Sequence, residues 1–318
     1  MINLEKLLPF AFESVVPDNR ANSHWPSSAS AMSSNGLESG VGGCLRSQYW
    51  RHLKVEKTNP PSGDNIVKMT LGRVAGDYVV ESTKRLGIYA ADEKRIWVPE
   101  LKISGKVDIL IYDGHDIIPV EVKSTYGYNG IKGVIKPLKG EEIHPRVDHS
   151  MQIFIYLDYY YRESKAGRIK HNFPYGLLFY IARDTGQRAQ HVLRIHDTEK
   201  VEIFNGLKIP VTQRIINGVL DDSFTNIDIY KRWMLLDEYV EKKELPPREF
   251  IIQYSKLAAM KKVAELPKKK REDLQKDRQI ELRDFQCSYC NYKNLCWKGI
   301  SDNDLWEGVA DINTKAKQ

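Results

Sequence analysis

Between residues 105 and 125 the chain reads GKVDILIYDGHDIIPVEVKST. Val107, Ile109 and Ile111 alternate with other residues, Asp113-Gly114 marks a turn, and an apolar run over 117–122 follows. Alternation, turn and alternation predict a β-hairpin. Around it the pattern shifts to helical spacing. Residues 17–43 are rich in Ser, Gly, Asn and Pro and read as a loop-rich arm. From Cys44, CLRSQYWRHLKV predicts a short helix, broken by TNPPSGD at 58–64. A helix follows over 65–87, with Met69, Val74, Tyr78 and the Val79/Val80 pair as its apolar stripe and Gly87 closing it. Asp77 and Glu81 lie one turn apart on that helix.

Beyond the helix, IWVPEL precedes the hairpin as a strand, and 126–145 is a Gly/Lys-rich loop. A helix over 147–161 buries Met151, Phe154, Ile155 and Leu157. YGLLFYIAR and QHVLRIH read as two strands. Asp197 then reads as the N-cap of a helix that Pro210 interrupts, and a further helix spans 228–243. Residues 255–283 are highly charged and partly helical in pattern, and 303–318 read as a frayed tail. Helix, strands, helix, strands is an α/β order. The expected division is an N-terminal arm at 1–43, a main domain at 44–249, a charged insert at 250–286, and a cysteine-bearing segment with its tail at 287–318.

At 42% hydrophobic and 28% charged residues, the 318-residue chain can bury a core, and a net charge of +6 suits a polyanionic partner without establishing one. No apolar run reaches the roughly 20 residues of a membrane span. The first residues lack a basic start followed by a long apolar core. The expectation is a soluble, cytoplasmic protein with no membrane partner.

Chemistry gathers on the hairpin. Asp108 lies on its first strand, and Glu121 and Lys123 lie two residues apart on the second. With a side-chain period of two, Glu121 and Lys123 share a face and Val122 points to the other. Converging carboxylates supply hard oxygen ligands for Mg²⁺ or Mn²⁺, and a lysine beside them can stabilise charge on a phosphorane or orient a water. The same residues also fit a surface hairpin with a solvated Glu–Lys pair.

Cys287, Cys290 and Cys296 form C-x2-C-x5-C, and Cys44, far upstream, completes a set of four. Four thiolates suit a [4Fe–4S] cluster or a structural Zn²⁺, and ligand softness does not separate them. A free C-x-x-C redox pair is the alternative.

Gly105-Lys106-Val107-Asp108 followed by Glu121-Val122-Lys123 resembles the GxxD and ExK elements of the PD-(D/E)XK nuclease superfamily, although the proline of the family's name is absent. One cysteine before these elements and three after them resembles the iron–sulfur RecB-like nucleases, including the CRISPR adaptation nucleases of the Cas-four type. Gln152-x-x-x-Tyr156 resembles their QxxxY motif, and CLRSQYW their C-x-R-x-x-Y/F segment. Where such nucleases often carry a histidine ligand this chain has Gly76, so Asp77, with Glu81 as the alternative, is the candidate replacement.

The resemblance spans about residues 28–300 and implies a restriction-endonuclease-like core, a central mixed sheet flanked by helices. It implies a [4Fe–4S] cluster on Cys44, Cys287, Cys290 and Cys296 that closes the C-terminal segment onto the N-terminal helix. It also implies Mg²⁺ or Mn²⁺ on Asp108, Glu121, the Val122 carbonyl and Asp77, with Lys123 catalytic. Gln152 and Tyr156 would then position DNA, and Arg46 would reach a phosphate or stand as a solvated helix charge. The implied activity is an exonuclease on single-stranded DNA ends, serving recombination or repair, CRISPR adaptation, or phage DNA processing. No Walker A pattern is present, so unwinding would fall to a helicase, with an integrase or recombination protein as other candidate partners. The alternative is a non-catalytic DNA- or partner-binding module stapled by iron–sulfur or zinc. The 250–286 insert would be a DNA-contacting arm, a partner-binding element or a solvated helical excursion.

Overall fold

The computed structural model describes residues 23–31, 41–137, 142–204, 206–250 and 285–297. The 250–286 insert lies mostly outside these residues, and the 303–318 tail lies wholly outside them. Strands β1 (Ser30–Ala31) and β2 (Val41–Gly42) form a small ladder. Helix α1 (Leu45–His52) and the long α2 (Gly63–Arg85) lead into β3 (Tyr89–Val98), β4 (Ile103–Asp113) and β5 (Asp116–Thr125). The short α3 (Gly127–Ile131) and α4 (Val147–Lys165) cross over to β6 (Gly176–Ala182). Then come β7 (Arg188–Phe204), β8 (Leu207–Ile216), β9 (Val219–Asp221), α5 (Asn226–Lys242), α6 (Phe285–Ser288) and α7 (Lys293–Cys296).

Strands β3 to β9 form one seven-stranded mixed sheet in sequential order. Only β5 and β6 are parallel neighbours. A parallel pair needs a long crossover, which α3 and α4 provide. Alternation along β5 serves two cores. Ile117 belongs to the large cluster with Ile153, Phe154 and Leu157 of α4. Ile118 and Val120 belong to a second cluster capped by Val79 and Val80 of α2. The hairpin turns at Gly114, whose φ of +61° suits glycine, with Asp113 paired to Asp116. Among the described residues no helix is long and apolar enough to cross a membrane.

Three expectations need correction. The helix expected after Asp197 is the β7–β8 hairpin, turning at Gly206 (φ +78°) between Phe204 and Leu207. Asp197 caps nothing helical; it accepts from Lys165 Nζ at 2.7 Å and Tyr161 Oη at 2.9 Å, tying β7 to the end of α4. Pro210 sits in β8 opposite Val201, and its carbonyl accepts from Asn226 Nδ2 at 2.9 Å. Second, the described part of the arm belongs to the core. Ser30 and Ala31 are fully buried, and Arg232 of α5 donates to Ser30 Oγ at 3.3 Å. Third, the stripe on α2 is only half right. Val79 and Val80 pack, but Met69, Val74 and Tyr78 are exposed. The helix docks through small residues instead: Ala75 and Thr83 are buried, and Gly72 lies against Ser124 of β5.

Candidate active site at a strand fork

Strands β4 and β5 pair from Asp113↔Asp116 as far as Ile109↔Val120 and then part. β4 continues along β3, while β5 from Val120 onward follows β6. Asp108 and Glu121 stand at the first position past the fork. There the Val122 N–H donates to Asp108 Oδ2 at 2.8 Å, so a side chain takes the place of a ladder bond. The fork therefore aims one carboxylate from each strand into the gap between them.

Glu121 is 2% exposed. Burial pushes its carboxyl up to about 8, with Lys123 opposing and the Asp108 carboxylate adding to the rise. Burial likewise raises the carboxyl of Asp108. Lys123 Nζ lies 2.8 Å from Glu121 Oε1. Burial alone would lower the Lys123 ammonium, but the charge of Glu121 outweighs it, so the lysine stays protonated. Glu121 Oε2 is buried and accepts from no N–H or O–H donor, while the Asp108 carboxyl stands close beside Glu121. A carboxylate oxygen without a donor beside a second carboxylate is a setting that a hard divalent cation satisfies.

Lys123 is held from its other side. Its Nζ donates to Gln152 Oε1 at 2.8 Å, Gln152 Nε2 donates to Tyr156 Oη at 3.3 Å, and Tyr156 Oη donates to the Lys106 carbonyl at 2.9 Å. The relay starts on β5, runs one turn along α4 and ends on β4, bracing both arms of the fork. Tyr156 is 2% exposed, so this side chain offers no surface to a nucleic acid. Its hydroxyl is bound to the Lys106 carbonyl of β4.

Two residues of the site carried no sequence signal. His149 opens α4, and its Nδ1 lies 2.8 Å from the hydroxyl of Tyr180, the residue paired with Lys123 across β5 and β6. Burial first, and then the charge of Lys123, lowers His149 to about 3 and keeps it neutral. Asp77 and Glu81 stay apart from the site. Both are exposed, on the side of α2 opposite its small docking residues, and Glu81 pairs with Lys84 at 2.9 Å. Docking of α2 through Gly72, Ala75 and Thr83 sets the helix phase that turns both side chains outward.

The family model for the PD-(D/E)XK nuclease superfamily matches residues 45–297, most of the chain. The chain belongs to the PD-(D/E)XK nuclease superfamily. Members are generally nucleases, phosphodiester hydrolases that bind DNA and typically use Mg²⁺ or Mn²⁺. No curated protein matches the chain. Among solved structures it is similar to the crystal structure of SSO0001, at 15% identity over 92% of this chain and 93% of that one. The TM-score of 0.36 is too low for that likeness to carry an argument.

This PD-(D/E)XK chain has a second constellation. Cys44, Cys287, Cys290 and Cys296 line one cavity. Tyr292 N–H donates to Cys290 Sγ at 3.4 Å, and Arg46 Nη1 lies 3.7 Å from Cys296 Sγ. Burial pushes the Cys44 thiol up to about 12. Among the described residues no group of three or more His, Cys, Asp or Glu side chains is disposed to hold a metal ion as they stand. Four thiols, with N–H donors directed at the sulfurs of Cys290 and Cys296, are the donor chemistry that a thiolate-bound group uses.

Direct contacts also join α1 and the loop after it to the C-terminal segment. The Asn59 N–H donates to the Asn291 carbonyl at 2.8 Å, and the rings of Trp50 and Tyr292 lie 5.5 Å apart. Glu249, which sequence reading passed over, accepts from the Leu45 N–H at 2.9 Å and pairs with Arg232. Arg46 is 9% exposed, and its Nε donates to the Pro246 carbonyl at 2.7 Å. Its guanidinium is directed to that buried carbonyl and to Cys296 and not to solvent.

Proposed function

We propose that the chain is a metal-dependent DNA nuclease, an exonuclease that hydrolyses phosphodiesters at single-stranded ends. The observation that carries this reading is the fork, which brings Asp108, Glu121 and Lys123 together and leaves Glu121 Oε2 without an N–H or O–H donor. Asp108, Glu121 and the Val122 carbonyl would hold Mg²⁺ or Mn²⁺, which when bound supplies Lewis-acid polarisation of the phosphate and a more acidic water. Lys123 places a positive charge where the phosphorane develops, and Gln152 fixes its direction. Tyr156 holds Gln152 against β4, so the lysine is positioned before substrate arrives. The preference for single-stranded ends follows from the motif resemblance. In the same reading the four cysteines hold a structural [4Fe–4S] cluster that joins α1 to the C-terminal segment. A helicase, an integrase or a recombination protein would supply the strand.

The test is cleavage of end-labelled single-stranded DNA with Mn²⁺ or Mg²⁺ by anaerobically purified protein, run beside Glu121→Ala and Lys123→Ala. Metal-dependent cleavage lost in both variants is the expected result, and the labelled end gives polarity. No cleavage by the wild type, or equal cleavage by all three, would replace the catalytic reading with a DNA- or partner-binding module. Colour tests the cluster: a [4Fe–4S] protein is brown and loses its visible absorbance in Cys290→Ser, whereas a colourless zinc-loaded protein would overturn the iron assignment.

A further inference from the structure

Beside the cysteine cavity lies a larger cleft of about 390 Å³. The Pro26–Ser28 turn and Trp25 form one wall, α1 lies between, and residues 289–292 form the other wall. The turn also reaches the catalytic side, since a Cβ on Gly105 would meet Pro26 Cγ at 2.9 Å.

Three features give the cleft its chemistry. Gln48 on α1 lines it and is 3% exposed, yet neither its amide oxygen nor its amide nitrogen has a hydrogen-bond partner. A buried amide left unmet on both atoms is costly, and a ligand bearing one donor and one acceptor side by side relieves both. One turn further on, the Arg51 guanidinium lies over the Trp25 ring at 3.9 Å and donates to Ser28 Oγ at 3.0 Å, which makes a flat cationic wall. On the opposite wall the ring of Tyr289 is 68% exposed, and Lys57 stands at the rim.

A donor–acceptor pair between flat walls with cations nearby matches an unstacked nucleobase on its phosphate backbone. Glutamine pairs in this way with adenine, whose amino group and ring nitrogen are adjacent. Aromatic walls hold bases by stacking, and lysine or arginine at the rim suits the phosphates.

We propose that this cleft binds one unstacked base of a single DNA strand, adenine by preference, hydrogen-bonded by Gln48 and stacked between the Trp25–Arg51 pair and Tyr289. The proposal rests on the nuclease reading for its substrate and adds a site at which the strand is read.

The experiment is equilibrium binding of the full chain, purified anaerobically, to fluorescent single strands in EDTA, so that nothing is cut. Oligo-dA, oligo-dT and an abasic strand of equal length are compared. The wild type should bind oligo-dA about tenfold tighter than the abasic strand and more tightly than oligo-dT. Gln48→Ala should abolish the difference between dA and dT. Tyr289→Ala, at an exposed position, should cut the advantage of bases over abasic sites several-fold.

An unchanged melting temperature shows that each variant is folded. Equal affinity for all three strands, a preference that survives Gln48→Ala, or no binding to single strands would overturn the proposal. A wild type that cuts DNA but shows no base preference defeats this inference alone. One that prefers oligo-dA but cuts nothing defeats the nuclease reading and leaves the cleft standing.

Discussion

Tyr156 lies so close to Gly105 that a Cβ on the glycine would stand 2.6 Å from the tyrosine's Cε1. The same ring carries the hydroxyl that bonds the Lys106 carbonyl. The glycine of GxxD and the tyrosine of QxxxY are thus two halves of one contact, which sets the height of α4 over β4. Gly105→Ala should destabilise the fold by about 1–3 kcal/mol through overpacking. Thermal melting checks this, and the effect should be non-additive with Tyr156→Leu, which removes the opposing ring.

Gln152→Leu keeps the bulk at that position but releases Lys123. The expected outcome is a loss of about 10–100-fold in kcat with little change in KM, as for other residues that orient a group contacting the reacting atoms. A fall in affinity at unchanged kcat would instead assign Gln152 to strand binding.

Arg46→Ala should cost roughly 2–3 kcal/mol in denaturant unfolding, because it leaves the Pro246 carbonyl buried and unmet. The salt dependence of DNA binding should keep its slope, since no phosphate contact is removed. A shallower slope would restore the phosphate role expected from the CLRSQYW segment.

Much of this site could be read from local pattern. The hairpin follows from alternation around Asp-Gly, and α4 from its apolar spacing, because both are set by neighbours in sequence. The β7–β8 hairpin was hidden although Asn-Gly stands at 205–206. Asp197 and Pro210 carry strong helix-boundary signals, and their actual partners, Lys165 and Asn226, lie far away in the chain. On α2 large apolar residues drew the eye, whereas docking uses small ones whose value appears only when a sheet lies beneath. Arg46 was open to misreading for a similar reason: no local rule tells a buried arginine from a solvated one until Pro246 is in place. The bond from Lys123 to Gln152 likewise depends on the fold rather than on the spacing within either motif.

His52 stacks on His24 at 5.3 Å between ring centres, and His24 stacks on Trp233 at 5.2 Å. Burial, reinforced by His24 and Arg51, lowers His52 to about 4; burial also lowers His24, although Asp237 opposes it. Both rings are therefore neutral in the folded protein at neutral pH. Their contribution to stability is present above pH 6.5 and is lost as pH falls from there through about 4, where the folded state must accept the protons. Denaturant midpoints at pH 7 and pH 5 should differ more in the wild type than in His52→Gln.

The cysteine cavity also fixes an order of events in synthesis. Cys44 leaves the ribosome early, and the thiols that face it come from residues 287, 290 and 296, after the whole sheet has been made. Until those late residues emerge, Leu45, Tyr49 and Trp50 of α1 lack Tyr292, the partner that seals their small core. A chain broken off before that point lacks the residues that cover this face of α1. Such fragments would carry an uncovered apolar helix, and proteolysis could tell them from finished protein.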